Sequence, residues 1–265
     1  MTQAAQLPLP DAAATRRLFN LTGQTALVTG GGSGLGRAMA WGFACYGANV
    51  VILDRDAGAA SACVDEIARG TGCKGWAFRC DVSDEAAVAE AVAAALGASA
   101  RIDILVNNAG HNIRRPLLDY TLAEFDSLHE VHVRGTFLMT RAVGKHMLAR
   151  GSGAIINIAS MLGHVAAPRV APYAAAKAAI IQLTKVLSLE LAPHVRVNAI
   201  APGYIDTPLT RQHAPEIRQR IMDTAPLGRF GEASELIGPA LFLASSASSF
   251  VTGTSLLVDG GWTAK

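Results

Sequence analysis

Ser160, Tyr173 and Lys177 are the residues of this chain whose types and spacing most clearly permit chemistry. Lys177 follows Tyr173 by four positions, and the stretch from Ala174 onward, AAAKAAIIQLTKVLSLELA, is rich in helix formers with apolar residues at helical spacing. Phenol and ammonium then share one helix face, a turn apart. Ser160 closes the apolar run AIINIAS, which reads as a buried strand. A strand end and a helix start would so bring a hydroxyl, a phenol and a cation to one pocket. A free phenol titrates near ~10 and is a poor base at neutral pH. A cation about 4 Å away, at an effective dielectric of about 20, contributes roughly 4 kcal/mol. At about 1.36 kcal/mol per unit, that lowers the phenol by about three units, towards ~7. It can then take a proton from an alcohol or give one to a carbonyl, while Ser160 hydrogen-bonds the same substrate oxygen. Such a trio needs an electron acceptor bound elsewhere on the chain.

The elements that must position these residues follow from an alternation of short apolar runs and helical patterns. Thr25–Gly30, Ala48–Asp54, Lys74–Asp81, Ile102–Gly110, Ala154–Ser160, Val195–Gly203 and Thr254–Gly260 read as strands. Helical stretches separate them, the longest from about Thr121 to Ala149. The pattern predicts a single-domain α/β fold: a Rossmann-like, doubly wound parallel sheet of about seven strands with helices on both faces. That domain is placed at residues 21–265, behind a flexible Ala-, Gln- and Pro-rich arm at residues 1–20 with a potential for oligomer contacts. A polar segment at about 204–231 breaks the rhythm.

The electron acceptor has a candidate cradle in Thr29–Gly36, TGGGSGLG, which follows a strand and opens a helix. Gly30, Ser33, Gly34, Leu35 and Gly36 would let the backbone approach a pyrophosphate, with the helix N-terminus supplying free N–H groups. Asp54 ends the second strand, where a carboxylate can accept from both adenosine ribose hydroxyls and repels a 2′-phosphate. NAD is therefore expected rather than NADP; Arg55 is the neighbouring cation that argues the other way.

With TGGGSGLG, Asp54, Asp81–Val82, Asn107–Gly110 (NNAG), Ser160, Tyr173, Lys177 and Pro202–Gly203 in hand, the chain resembles the short-chain dehydrogenase/reductases from about Leu21 to Trp262. The resemblance implies that Asp81 and Val82 contact adenine. It implies that Asn108, Ala109 and Gly110 line the cofactor and that the NNAG run steadies the central strands. Lys177 would hold the nicotinamide ribose as well as tune Tyr173. Pro202, Gly203, Ile205 and Thr207 would shape the nicotinamide pocket, and about Leu209 to Leu227 would form a mobile substrate lid. The implied catalytic residues are Ser160, Tyr173 and Lys177, with Ser160 and Tyr173 also binding substrate. The implied reaction is hydride transfer between a secondary alcohol (polyol, sugar or sugar acid) and its ketone. The implied assembly is a homotetramer. The sugar-acid dehydrogenases of the family, of the gluconate 5-dehydrogenase and 2-deoxygluconate 3-dehydrogenase types, are the most similar in pattern. A 3-oxoacyl-carrier-protein reductase using NADPH is the rival, and a non-catalytic dinucleotide-binding regulator a remoter one.

One position departs from the family. Where an asparagine usually holds a proton-relay water, the run VHVRGTF puts His132. Either the imidazole takes the asparagine's part, or the relay is rerouted or impaired. Arg114, Arg115 and Arg169 flank the expected pocket and could receive a carboxylate bidentately; His111 and His164 are assigned structural roles.

Composition bounds the rest. The 265 residues are 51% apolar with a net charge of +2, which gives no field to recruit nucleic acid or anionic membrane. No apolar run reaches the ~18 residues of a membrane span, and the first twenty residues lack the apolar centre of a signal peptide. Cys45, Cys63, Cys73 and Cys80 have no metal-ligand spacing, so no metal is expected and the thiols read as reduced and cytoplasmic. The expected partner is a small-molecule alcohol or ketone.

Overall fold

In the computed structural model, which describes residues 11–207, 210–212 and 214–264, seven apolar runs become the strands of one parallel sheet. They are Thr25–Thr29 (β1), Asn49–Asp54 (β2), Gly75–Arg79 (β3), Ile104–Asn107 (β4), Gly153–Ile158 (β5), Val195–Pro202 (β6) and Ser255–Val258 (β7). The helices are Ala12–Arg16 (α1), Gly34–Cys45 (α2), Ala57–Thr71 (α3), Glu85–Ser99 (α4), Leu122–His129 (α5), Gly135–Arg150 (α6), Ala171–Glu190 (α7), Pro215–Thr224 (α8) and Ile237–Ala244 (α9). The strand order is β3-β2-β1-β4-β5-β6-β7. It reverses between β1 and β4, and a crevice opens at the carboxyl ends of the strands on either side of such a reversal.

The central strands read as unbroken apolar runs because both of their faces are covered. Ala26 and Val28 of β1 join the layer under α2, α3 and α9, whereas Leu27 between them joins the layer under α4, α6 and α7. The helices begin where the sequence offers an acceptor. Asp56 takes the Ala59 N–H at 3.0 Å ahead of α3, Asp84 caps α4, and Thr121 with Glu124 forms a reciprocal capping box on α5.

Three expectations need adjustment. The long helix expected over 121–149 is α5 and α6 joined by a π-helical turn at Glu130–Arg134, where the Gly135 N–H reaches back to the Glu130 carbonyl. α7 begins at Ala171 rather than Ala174, because Pro172 fits the first helical turn, where its missing N–H costs nothing. The polar segment holds a helix of its own, α8. Residues 1–10 of the expected arm, and Leu209 and His213 of the expected lid, lie outside the described residues. The rest of the arm is tied down: Asp11 caps α1, and the Leu18 carbonyl accepts from the Ala247 N–H and Ser246 Oγ.

Candidate active site

A cavity of about 740 Å³ runs along the carboxyl edge of the sheet. Six of the seven strand ends deliver residues to it: Gly30 after β1, Asp54 and Arg55 at β2, Asp81 and Val82 after β3, Asn108–Gly110 after β4, Ser160 after β5, and Pro202–Gly203 at β6. Ile205, Thr207, Tyr173 and Lys177 line it as well.

At one end the glycine loop opens α2. Ser33 makes no side-chain cap bond, so the first-turn N–H groups of α2 have no cap partner, and Ser33, Gly34 and Leu35 line the cavity. An uncapped helix start in a glycine cradle fits a pyrophosphate. The Asn108 amide secures the loop from across the sheet, donating to the Thr29 and Gly30 carbonyls at 2.9 and 3.1 Å. Gly36 stands apart from its expected role. It is not among the lining residues; a Cβ there would strike the Gly30 carbonyl and the Asn108 amide, so its absence lets helix and loop meet. The Asp54 carboxylate reaches the loop, accepting the Gly32 N–H at 3.0 Å and the Asp56 N–H at 3.1 Å. Asp81 accepts from the Ser83 side chain and backbone, which hold its carboxyl below the usual range against the opposing effect of burial.

At the other end lie Ser160, Tyr173 and Lys177. Lys177 is buried and donates from Nζ to the Ile158 carbonyl at 2.6 Å, with Nζ 5.7 Å from the Tyr173 ring centroid. Burial brings the ammonium down to about 7. Burial also pushes the Tyr173 phenol up, outweighing its hydrogen bond with Ser160 and the nearby Arg114 charge. The sequence expectation of a phenol drawn towards ~7 by its neighbour is thus reversed. The Lys177 ammonium donates to the Ile158 carbonyl rather than to the phenol, and desolvation acts on both partners. The Ser160 hydroxyl accepts the Leu162 N–H at 3.1 Å.

His132 sits beside this group. It is buried, its Nε2 is 2.7 Å from the His111 carbonyl, and its ring meets the Tyr173 ring edge-on, with centroids 5.4 Å apart. Burial first, then the Lys177 charge, hold it well below the ordinary histidine value, so it is neutral.

A family model described as enoyl-(acyl carrier protein) reductase matches residues 30–263. Gluconate 5-dehydrogenase of Gluconobacter oxydans is 40% identical over 93% of this chain and 97% of its own. Galactitol 2-dehydrogenase (L-tagatose-forming) of Cereibacter sphaeroides is 42% identical over 94% of this chain and 98% of its own. A crystal structure of gluconate 5-dehydrogenase from Burkholderia cenocepacia in complex with NADP and tartrate superposes with a TM-score of 0.91 at 39% identity, covering 95% of this chain and 99% of that one. The chain belongs to the short-chain dehydrogenase/reductase family. It is an NAD(P)-dependent oxidoreductase acting on CH–OH groups, and its seven-stranded sheet is that of the family.

Within this short-chain dehydrogenase/reductase the three flanking arginines separate. Arg114 lines the cavity. Arg115 pairs with Glu124 at 2.7 Å. Arg169, in the left-handed region at φ 68°, takes the Arg115 N–H and the Tyr120 hydroxyl on its carbonyl. His164 bonds Ser255 Oγ at 2.9 Å, away from the cavity. His111 does line the cavity: its Nε2 meets Ser127 Oγ at 3.1 Å, and its Nδ1 is buried without a partner, as is Asn112 Oδ1 next to it. Sequence reasoning missed Asn112, Val131, Met161, Leu162 and Tyr204, all of them lining residues. Adjacency was the available signal for four of them: Asn112 follows NNAG, Met161 and Leu162 follow Ser160, and Tyr204 follows Pro202–Gly203. Also missed was a buried polar ladder. Asn107 Nδ2 donates to Asn157 Oδ1 at 2.9 Å and to Thr140 Oγ1 at 3.1 Å, and Asn157 Nδ2 donates to Thr184 Oγ1 at 2.9 Å.

Proposed function

We propose that this enzyme is an NAD-preferring dehydrogenase of polyhydroxylated secondary alcohols, with a sugar acid as its preferred substrate class. The observation that carries the reading is the set of polar side chains His111, Asn112 and Arg114 along the substrate end of the cleft. Arg114 has the fork geometry that receives a carboxylate, and His111 Nδ1 and Asn112 Oδ1 are buried polar atoms in need of partners. Buried polar groups of this kind suit a ligand rich in hydroxyls. The names of the gluconate and galactitol relatives point to the same chemistry.

When bound, the nicotinamide supplies the hydride acceptor or donor. The chain's own residues do the rest. The Ser160 hydroxyl holds the reacting oxygen; in oxidation Tyr173, as the phenolate, takes the proton of the alcohol, and in reduction, as the phenol, it returns one to the carbonyl oxygen. Lys177, on the same helix face one turn on, holds the nicotinamide ribose. The N-terminus of α2 receives the pyrophosphate, and Asp54 the adenosine ribose. Asp81 and Val82 border the adenine, with Asn108–Gly110, Pro202, Gly203, Ile205 and Thr207 around the remainder. Asp54 supports NAD, since a 2′-phosphate would meet its carboxylate. The opposing reading, NADP, has Arg55 beside Asp54 and the NADP complex of the Burkholderia relative in its favour. Exposed Leu189 on α7 and Phe250 ahead of β7 support a homotetramer, and the four free thiols a cytoplasmic location.

The test is oxidation of a panel of sugar acids and polyols, each paired with either dinucleotide. We expect turnover on sugar acids, with kcat/KM higher for NAD by roughly tenfold or more. In Tyr173→Phe we expect kcat to fall by roughly 10²- to 10⁴-fold with cofactor affinity kept. Retained turnover in that variant would remove Tyr173 from its role, and a preference for NADP would overturn the cofactor assignment.

A further inference from the structure

His132 is fixed in a way that the reaction as derived above does not use. Its Nε2 faces a carbonyl oxygen at 2.7 Å. A carbonyl only accepts, so Nε2 carries the proton. The ring rests on Gly110, where a Cβ would come within 2.8 Å of Nδ1, and its edge meets the Tyr173 ring. The π-helical turn at Glu130–Arg134 adds a residue to the helix at this point, and both Val131 and His132 line the cleft. Turns of this kind occur at functional sites because they re-aim a side chain without ending the helix. The carbonyl that His132 holds belongs to His111, whose own ring is held by Ser127 of α5. The run from His111 to Arg114 is therefore moored to α5 and the π turn by two histidine contacts.

We propose that His132 is a positioning residue: its Nε2–H fixes the His111 carbonyl, and with it the substrate run His111–Arg114, while its ring seats the Tyr173 phenol ring. One side chain thus sets the distance between the acid–base group and the residues that grip the far end of the substrate. The imidazole does this as a neutral group that does not titrate in the working range. The charged and titratable groups facing it are Lys177 and Tyr173 from α7, His111 from the loop after β4 and His129 from α5. The consequence for catalysis rests on the dehydrogenase reading of the cleft; the tautomer does not.

Side-chain geometry supplies a discriminating pair of variants. A glutamine amide nitrogen stands as many bonds from Cβ as Nε2 does, whereas an asparagine amide nitrogen reaches only as far as Nδ1. His132→Gln can therefore still reach the His111 carbonyl and His132→Asn cannot. We expect His132→Gln to keep kcat/KM within about threefold of wild type, and His132→Asn to lose roughly 10- to 100-fold, mostly in kcat, with cofactor affinity retained. The pH–rate profile of His132→Gln should superimpose on that of wild type. Equal activity of the two variants, a more active asparagine variant, or a limb missing from the glutamine profile would each overturn the proposal. A readout free of activity separates this from failure of the functional reading. In ¹⁵N-histidine spectra of the wild-type protein, the signal missing from His132→Gln should carry its proton on Nε2 and stay unchanged from about pH 5.5 to 8.5. A proton on Nδ1, or titration within that range, would refute it even in a protein inactive on every substrate tried.

Discussion

Lys177 shows what a single residue costs the fold for the sake of the site. Its ammonium is buried and brought down to about 7, far from the ~10.4 it has in an unfolded chain. The folded state therefore binds fewer protons than the unfolded state between those values. Stability rises with pH across that window, and the penalty is fully present below about pH 7. A Lys177→Met variant removes the penalty but leaves the Ile158 carbonyl without its donor. We expect it to lose turnover while gaining about 1–3 kcal/mol at pH 7, a gain that fades towards pH ~10. Melting temperatures of both proteins across pH measure this, and a pH-independent difference would contradict it. The same burial explains why the acidity of Tyr173 was not legible in the sequence. The four-residue spacing places phenol and ammonium on one face, but it says nothing about how dry that face is, and desolvation outweighs the charge.

At the scale of elements, the contact of α2 with the glycine loop depends on one absent side chain. A Cβ on Gly36 would strike the Gly30 carbonyl and the Asn108 amide. We expect Gly36→Ala to push helix and loop apart and weaken dinucleotide binding roughly tenfold, read by titration of intrinsic fluorescence. Unaltered affinity would mean that the loop can yield. The strands were legible because parallel strands covered on both faces must be apolar throughout, as Val50–Leu53 and Ile104–Val106 are. The π turn was not. The five residues Glu130–Arg134 contain no glycine or proline to mark a change in the helix, and the hydrogen bond that defines the turn lies in the backbone. Nor was the ladder Asn107–Asn157–Thr184: an asparagine inside an apolar run signals a buried polar group, but its partner lies 50 residues away on the next strand. Adjacent-residue patterns located the glycine loop, Asp54 and the serine–tyrosine–lysine trio. They could not say which of three arginines faces the cleft, because Glu124 decides that by claiming Arg115.

The whole molecule divides its labour between the two edges of the sheet. The carboxyl edge carries the cleft. Just ahead of β4, towards the amino edge, Asp103 takes the Thr25 N–H at 2.9 Å and pairs with Arg101 at 2.6 Å and Arg150 at 3.0 Å. Burial opposes the charge of Asp103, but these three partners prevail and hold its carboxyl below the usual range. A depressed carboxylate stabilises fully above its unfolded value near ~4 and loses that contribution as pH falls through the folded value. We expect Asp103→Asn to cost about 1–3 kcal/mol at pH 7, with the deficit narrowing below pH ~4. Thermal melts at both pH values decide this, and kcat should stay put because no cleft residue is touched. That separation makes the protein a convenient chassis for engineering. Hardening it against heat or acid can be attempted from beneath, by rewriting the charges that clasp β1, β4 and α6, while selectivity is evolved independently from above.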